Sequence, residues 1–144
     1  MADVVIDEGT KAGARAGRRL RDEIVAWLTT VSPEGQPQSS PVWFLWDGGD
    51  EIWMLSRSDT PRVRNIAANP HVALNLDGDG RGGNVVSLEG EARIVERITP
   101  SDHVPPAYQA KYAAKLADHG WTIASMLVDY PVTIRMTITR ERIW

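Results

Sequence analysis

The closing segment of the chain alternates apolar and polar side chains, and this pattern limits the possible folds more than any other feature. Within "VTIRMTITRERIW", the two sets of alternating residues are Val132, Ile134, Met136 and Ile138 against Thr133, Arg135, Thr137 and Thr139. Because successive side chains of a strand point to opposite faces, the segment predicts a long final strand with one face on a core.

Earlier segments predict five more strands, separated by turns rich in Gly, Pro and Asp. Residues 27–56, "WLTTVSPEGQPQSSPVWFLWDGGDEIWMLS", predict three strands with turns at "SPEGQP" and "DGGD". The segment "HVALNLD" predicts a fourth strand, with Val72, Leu74 and Leu76 on one face. The segment "NVVSLEGEARIVER", residues 84–97, predicts a long fifth strand with Leu88, Ala92 and Ile94 facing inward. A glycine in its middle, Gly90, indicates a bulge or bend.

The second of these strands is apolar on both faces. Val42, Phe44 and Trp46 alternate with Trp43 and Leu45. Such a strand is buried on both sides, or lies beneath a partner chain or a flat ligand.

Helical spacing of apolar residues predicts helices on either side of the strands. The first occupies residues 11–26 and runs to about Trp27, with four arginines on a solvated face: Arg15, Arg18, Arg19 and Arg21. Another spans Pro105 to Asp118, where Ala107, Tyr108, Tyr112 and Leu116 recur at helical spacing.

Six strands with mostly short connections predict a mainly β fold, an antiparallel six-stranded barrel with flanking helices, because closure removes exposed edges. A chain of 144 residues is long enough for one domain of this kind. We therefore expect one domain over residues 1–144, with a helical segment at 1–27 and the barrel at 28–144.

Composition excludes several classes of function. A net charge of −3 is unlike the broad basic face of a nucleic-acid or membrane-surface binder. Without cysteine there is no disulfide and no thiolate site, and His71, His103 and His119 lack ligand spacing, so no metal site is expected. The longest apolar run, residues 42–46, is too short to span a membrane. The acidic N-terminus "MADVVIDEG" does not resemble a secretory signal, so a cytoplasmic protein is expected.

The segment "SRSDTPRVRNIAANP" concentrates three arginines, Arg57, Arg62 and Arg64, in an acidic chain. Asp59 or Thr60 is a candidate helix cap, and Pro61 suits the first helical position. Free amides at a helix N-terminus and nearby guanidinium groups together bind anions such as phosphate. Pairing of these arginines with Asp59, Asp77 and Asp79 on the surface is the open alternative.

The order of these motifs resembles a known family. Residues 28–77, "LTTVSPEGQPQSSPVWFLWDGGDEIWMLSRSDTPRVRNIAANPHVALNLD", resemble the front half of the flavin- and deazaflavin-binding split β-barrels, the pyridoxamine 5′-phosphate oxidase-like superfamily. The later segment "EGEARIV" is similar to another strand of that family. The resemblance implies a homodimeric split barrel with cofactor grooves between the subunits.

The resemblance also implies cofactor-binding residues. The phosphate would be held by Ser56, Arg57, Thr60 and Arg62, with Arg64 and Asn65 as neighbours. The tricyclic ring would lie along the second strand, at Gln38, Ser39, Ser40, Pro41, Val42 and Trp43. No general acid or base is assigned, because in such proteins the cofactor supplies the chemistry.

Two cofactors fit this family, coenzyme F420 and FMN; haem, or no cofactor, is the remaining alternative. The chain resembles the smaller, F420-associated branch, since it ends at "TRERIW" without the extension of the true oxidases. Its 13 arginines against 3 lysines suit the actinobacteria, in which F420 is common. The expected function is hydride transfer between reduced F420 and a small unsaturated substrate of the enone or quinone type. An FMN-dependent oxidoreductase and a non-catalytic F420 carrier are the alternatives.

Overall fold

The computed structural model describes residues 6–95 and 104–144. Six strands close into an antiparallel barrel in the order β1-β2-β3-β6-β5-β4. The strands are β1 Val25–Val31, β2 Pro37–Trp46, β3 Glu51–Ser56, β4 His71–Asn75, β5 Val86–Val95 and β6 Val132–Ile143. The helices are α1 Lys11–Asp22, α2 Pro61–Ala68, α3 Pro106–Asp118 and α4 Ile123–Asp129. The predicted mainly β barrel with flanking helices is confirmed.

The barrel interior is filled by the apolar faces that the alternation predicted. Ile134, Met136 and Ile138 of β6 are buried there together with Leu74 of β4 and Leu88 of β5. The β5–β6 register shifts between Glu89 and Gly90. The bulge predicted at Gly90 is therefore confirmed, and the strands bend where no side chain has to be accommodated.

The first helix is shorter than the helical spacing of its apolar residues predicted. It ends at Asp22, and Trp27 lies in β1 rather than in the helix. Val25 already pairs with Trp43 of β2 and Ala26 is fully buried. The barrel ladder, which is a tertiary requirement, therefore overrides the local helical spacing.

Of the four arginines assigned to a solvated face, Arg19 is partly buried and structural, and Arg21 is exposed but forms an ion pair. The Arg19 guanidinium binds the Glu23 carboxylate and the main-chain carbonyls of Asp77 and Asn84. Arg21 pairs with Glu8 at 2.6 Å and lies over the Trp46 ring. Arg15 and Arg18 are exposed as predicted. One face of α1 thus ties the 77–84 loop and the N-terminal segment to the barrel.

The outer apolar face of β2 is covered by α3 of the same chain. Trp43 stacks on Tyr112 with ring centroids 4.5 Å apart and planes 7° apart. The Tyr112 hydroxyl accepts the Phe44 N–H at 2.7 Å and lies 2.7 Å from the Ile24 carbonyl oxygen. Lys111 donates to the carbonyls of Leu20 and Phe44 at 3.3 and 2.9 Å. The aromatic content of β2 therefore has an intramolecular explanation and does not by itself call for a partner chain.

A fourth helix, α4, was not predicted. It begins at a capping box in which the Thr122 hydroxyl accepts the Ser125 N–H and the Ser125 hydroxyl accepts the Thr122 N–H. Within the described ranges, no helix has the length and apolar character needed to cross a membrane.

Candidate functional site

A pocket of about 400 Å³ lies where β2, the β3–α2 turn and the α3–α4 turn meet. Its polar lining comes from the start of α2: Arg57, Thr60 and Arg62. Its aromatic lining comes from β2 and from the residues around α4: Trp43, His119, Trp121 and Tyr130. Cationic and flat apolar surfaces therefore line one cavity.

A second groove, of about 330 Å³, shares Thr60 and Arg62 with the pocket. Its other lining residues are mostly hydroxyl- or amide-bearing: Thr30, Gln38, Ser39, Ser40 and Pro61. The two cavities share Thr60 and Arg62, so both lie against the same cationic side chain.

The turn before α2 is fixed by hydroxyl groups. Ser56 is fully buried, and its hydroxyl donates to the Arg57 carbonyl at 2.9 Å. The Thr60 hydroxyl donates to the same carbonyl at 3.2 Å. Thr60 occupies the N-cap position, but its side chain makes no capping hydrogen bond. Asp59 does not cap the helix either; it lies 3.5 Å from the Arg57 guanidinium. The N-terminus of α2 is therefore left without a side-chain cap at the point where the pocket opens.

The three arginines of this segment have different environments. Arg62 is half-buried, and within the described residues its guanidinium has no hydrogen bond and no ion pair, while burial lowers its pKa. Arg57 is exposed and pairs with Asp59, whose side chain is 75% exposed, so that pair contributes little stability. Arg64 is exposed and lines neither cavity.

Surface pairing therefore explains Arg57 only. Asp77 binds Arg19 through its main-chain carbonyl, and the Asp79 carboxylate accepts the N–H groups of Arg81 and Gly83. Neither carboxylate pairs with an arginine of the turn.

Asn65 supports the second groove from behind. It is buried, and its side-chain amide donates to the Thr30 hydroxyl at 2.9 Å and to the Gln38 side-chain oxygen at 2.8 Å. These bonds fix Gln38 and occupy the Asn65 amide, so Asn65 holds the groove in shape and does not face a ligand.

The predicted cofactor residues thus fall into three sets. Six line the first pocket: Pro41, Val42, Trp43, Arg57, Thr60 and Arg62. Three line the second groove: Gln38, Ser39 and Ser40. The remaining three line neither cavity: Ser56, Arg64 and Asn65.

Sequence reasoning missed the wall formed by the residues around α4. The His119 ring lies 4.6 Å from the Trp121 ring and 6.2 Å from the Trp43 ring. A signal was available in "HGWT", where a glycine between two rings precedes a capping threonine. Of the other histidines, His71 is exposed near Glu91, and His103 lies outside the described residues. Among residues 6–95 and 104–144, no group of three or more metal-ligating side chains forms a metal site.

Comparisons with known proteins show which proteins this chain is similar to. A family model described as pyridoxamine 5′-phosphate oxidase matches residues 14–144. A conserved hypothetical protein from Mycobacterium tuberculosis is 26% identical with a TM-score of 0.72, over 100% of this chain and 88% of that one. No curated protein matches the chain.

Two further solved structures share the fold at lower identity. An F420 reductase is 24% identical with a TM-score of 0.63, over 87% of this chain and 94% of that one. A heme storage protein from Vibrio cholerae is 19% identical with a TM-score of 0.61, over 88% of this chain and 90% of that one. The same barrel therefore occurs in proteins with different named roles. The fold alone does not decide the function of this chain, so the function has to be argued from the residues of the site.

Proposed function

The chain belongs to the pyridoxamine 5′-phosphate oxidase family, and from this membership we propose that it is an F420-dependent oxidoreductase. The reaction is a hydride transfer between reduced coenzyme F420 and a small unsaturated organic substrate of the enone or quinone type. Bound F420 supplies the hydride chemistry, and the chain supplies binding and orientation.

The observation that carries this proposal is the unpartnered, half-buried guanidinium of Arg62. Removing a charge from water without giving it a partner costs free energy. A phosphate beside Arg62 would supply that partner, and the free N–H groups at the uncapped start of α2 offer further donors. The residues present therefore fit a phosphate-bearing cofactor.

The second groove favours F420 over FMN. FMN ends at its phosphate, whereas the phosphodiester of F420 continues into a lactyl-oligoglutamate tail. The groove adjoins Arg62 and presents Gln38, Ser39 and Ser40, which hydrogen-bond readily to carboxylates and amides. FMN is the second candidate, because the first pocket alone would accept a flavin ring and a terminal phosphate.

We expect the protein to bind F420 at least about tenfold more tightly than FMN. One additional hydrogen bond to a charged group contributes about 1.5–3 kcal/mol, and each 1.4 kcal/mol is a tenfold change in affinity. Fluorescence or calorimetric titration with both cofactors measures the difference. Tighter binding of FMN would reverse the assignment and make the second groove irrelevant to the cofactor.

Turnover separates an enzyme from a carrier. With reduced F420 and 2-cyclohexen-1-one or a naphthoquinone, an enzyme regenerates the absorbance of the oxidised coenzyme at a rate proportional to protein concentration. A carrier or sequestering protein binds the coenzyme and leaves its absorbance unchanged. The same titrated protein sample serves both measurements, so absence of turnover is not confused with absence of binding.

We expect a homodimer in which a second copy covers the outer face of β1. Val25 and Trp27 of that face are each 38% exposed, and Val25 also lines the first pocket. Burial of two large apolar side chains beside the cofactor would favour association. Light scattering at micromolar concentration with F420 present should give twice the mass of the chain, and Trp27→Glu should give the monomer. A monomeric wild type would contradict this expectation.

A further inference from the structure

The turn between α3 and α4 holds two rings over the first pocket. His119 is the C-cap of α3, and Gly120 follows with a φ of 69°, a conformation that favours glycine. The main-chain N–H of Trp121 donates to the Leu116 carbonyl at 2.8 Å. The capping box of Thr122 begins α4 directly afterwards. The backbone on both sides of the turn is therefore fixed, and the side chains of His119 and Trp121 are placed by it.

The hydrogen bond of His119 identifies which ring nitrogen is already engaged and which one is free. Its Nδ1 lies 3.0 Å from the Lys115 carbonyl oxygen. A carbonyl can only accept, so Nδ1 carries a hydrogen and donates it. Nε2 is left as the ring nitrogen available to a molecule in the pocket, and no described residue hydrogen-bonds to it. Contacts with Trp121 and Trp43 restrict rotation of the ring.

A protonated imidazole carries a hydrogen on both ring nitrogens, and in that form Nε2 donates. The other charged or titratable groups lining the pocket are Arg57 and Arg62, from the β3–α2 turn and α2, and Tyr130, which follows α4. A bound phosphate would offset the two guanidinium charges.

We propose that His119 is the proton donor of the reduction, acting from Nε2 on the carbonyl oxygen of a conjugated ketone bound against Trp43 and Trp121. This inference rests on the proposed function. Reduction of such a ketone needs a hydride and a proton. Reduced F420, when bound, would supply the hydride with its electron pair to the β-carbon. The π electrons then move onto the carbonyl oxygen, which takes the Nε2 proton, and the enol tautomerises to the saturated ketone. His119 is exposed, so water returns the proton to the imidazole.

Three substitutions test this role. His119→Gln keeps an N–H donor but cannot transfer a proton, so kcat with 2-cyclohexen-1-one should fall about 10²-fold or more, while KM changes less than about threefold. His119→Ala should lose kcat similarly and recover part of it when imidazole is added to the buffer. His71→Gln, at an exposed histidine of β4, is the matched control and should behave as wild type. The melting temperature should stay close to wild type in all three, and the Kd of F420 should change much less than kcat.

The outcomes separate the two claims. Unchanged kcat in both His119 variants, with normal wild-type turnover, would overturn the role of His119 and leave the proposed function standing. Loss of F420 binding or of folding in parallel with kcat, without imidazole rescue, would make His119 structural and also overturn the inference. A wild type that binds F420 but never oxidises its reduced form would overturn the proposed oxidoreductase, and the proton donor with it.

Discussion

Replacing both Arg57 and Arg62 by alanine is expected to weaken F420 binding by about 10²- to 10⁴-fold, while the protein without cofactor stays folded. Each charge-assisted contact contributes about 1.5–3 kcal/mol, and two contacts account for the range if they are nearly additive. The apo protein should be almost unaffected, because Arg57 forms only an exposed pair with Asp59 and Arg62 has no partner to lose. Titration of F420 into the double variant, beside its apo melting temperature, measures both effects.

The single variants should divide this effect unequally. Arg62 is half-buried and unpaired, so a phosphate gains more there than at Arg57, where it competes with the Asp59 carboxylate. Arg62→Ala should therefore account for most of the loss. Arg64→Ala is the matched control, because it removes an equal charge from the same helix at a residue that lines neither cavity. Equal losses for all three would indicate a general effect of charge, and unchanged affinity in the double variant would remove the phosphate from this turn.

The barrel could be predicted from sequence because apolar core residues alternate with polar residues along its strands. Alternate residues are buried over much of β1, β4, β5 and β6. Ile134, Met136 and Ile138 in β6 or Val72, Leu74 and Leu76 around β4 therefore identify the inner face without reference to any other segment. The start of α2 could also be predicted, because Pro61 and the preceding Thr60 are local signals of a helix N-terminus. These predictions depend only on the period of apolar residues and on residues adjacent in the sequence.

The remaining features depend on contacts between distant segments. The outer face of β2 is apolar in sequence, but only the packed structure shows that Tyr112, 69 positions after Trp43, covers it. The same packing brings His119 and Trp121 to the pocket, although nothing in their spacing points to β2. From its sequence position beside Arg64, Asn65 was predicted to lie near the cofactor phosphate. In the structure its side-chain amide instead binds Thr30 of β1 and Gln38 of β2. A site formed by residues from distant segments leaves no periodic pattern in the local sequence from which it could be predicted.

Gly90→Ala is expected to destabilise the barrel by about 3 kcal/mol or more, at the upper end of overpacking changes. A Cβ at this position would lie 2.1 Å from the Thr137 carbonyl oxygen and 3.0 Å from the Met136 methyl carbon. The methyl group of Met136 can rotate away, but the carbonyl belongs to the backbone of β6. Thr137 pairs with Glu91 of β5 on one side and with Glu51 of β3 on the other. Moving that carbonyl therefore disturbs two ladders of a closed barrel, in which no strand has a free edge to yield.

The corresponding fall in melting temperature is about 10 °C for a domain of this size, measured by thermal unfolding followed by circular dichroism. Gly49→Ala is the matched control, because a Cβ there would lie 3.4 Å from the nearest Asp47 carboxylate oxygen and the backbone is not in the left-handed region. That change should alter stability by less than about 1 kcal/mol, since alanine also restricts the unfolded chain. If Gly90→Ala melted within about 2 °C of the Gly49 control, the β5–β6 bulge would be able to open without disturbing the ladders. Its glycine would then reflect local bending alone and not the close approach of two backbones.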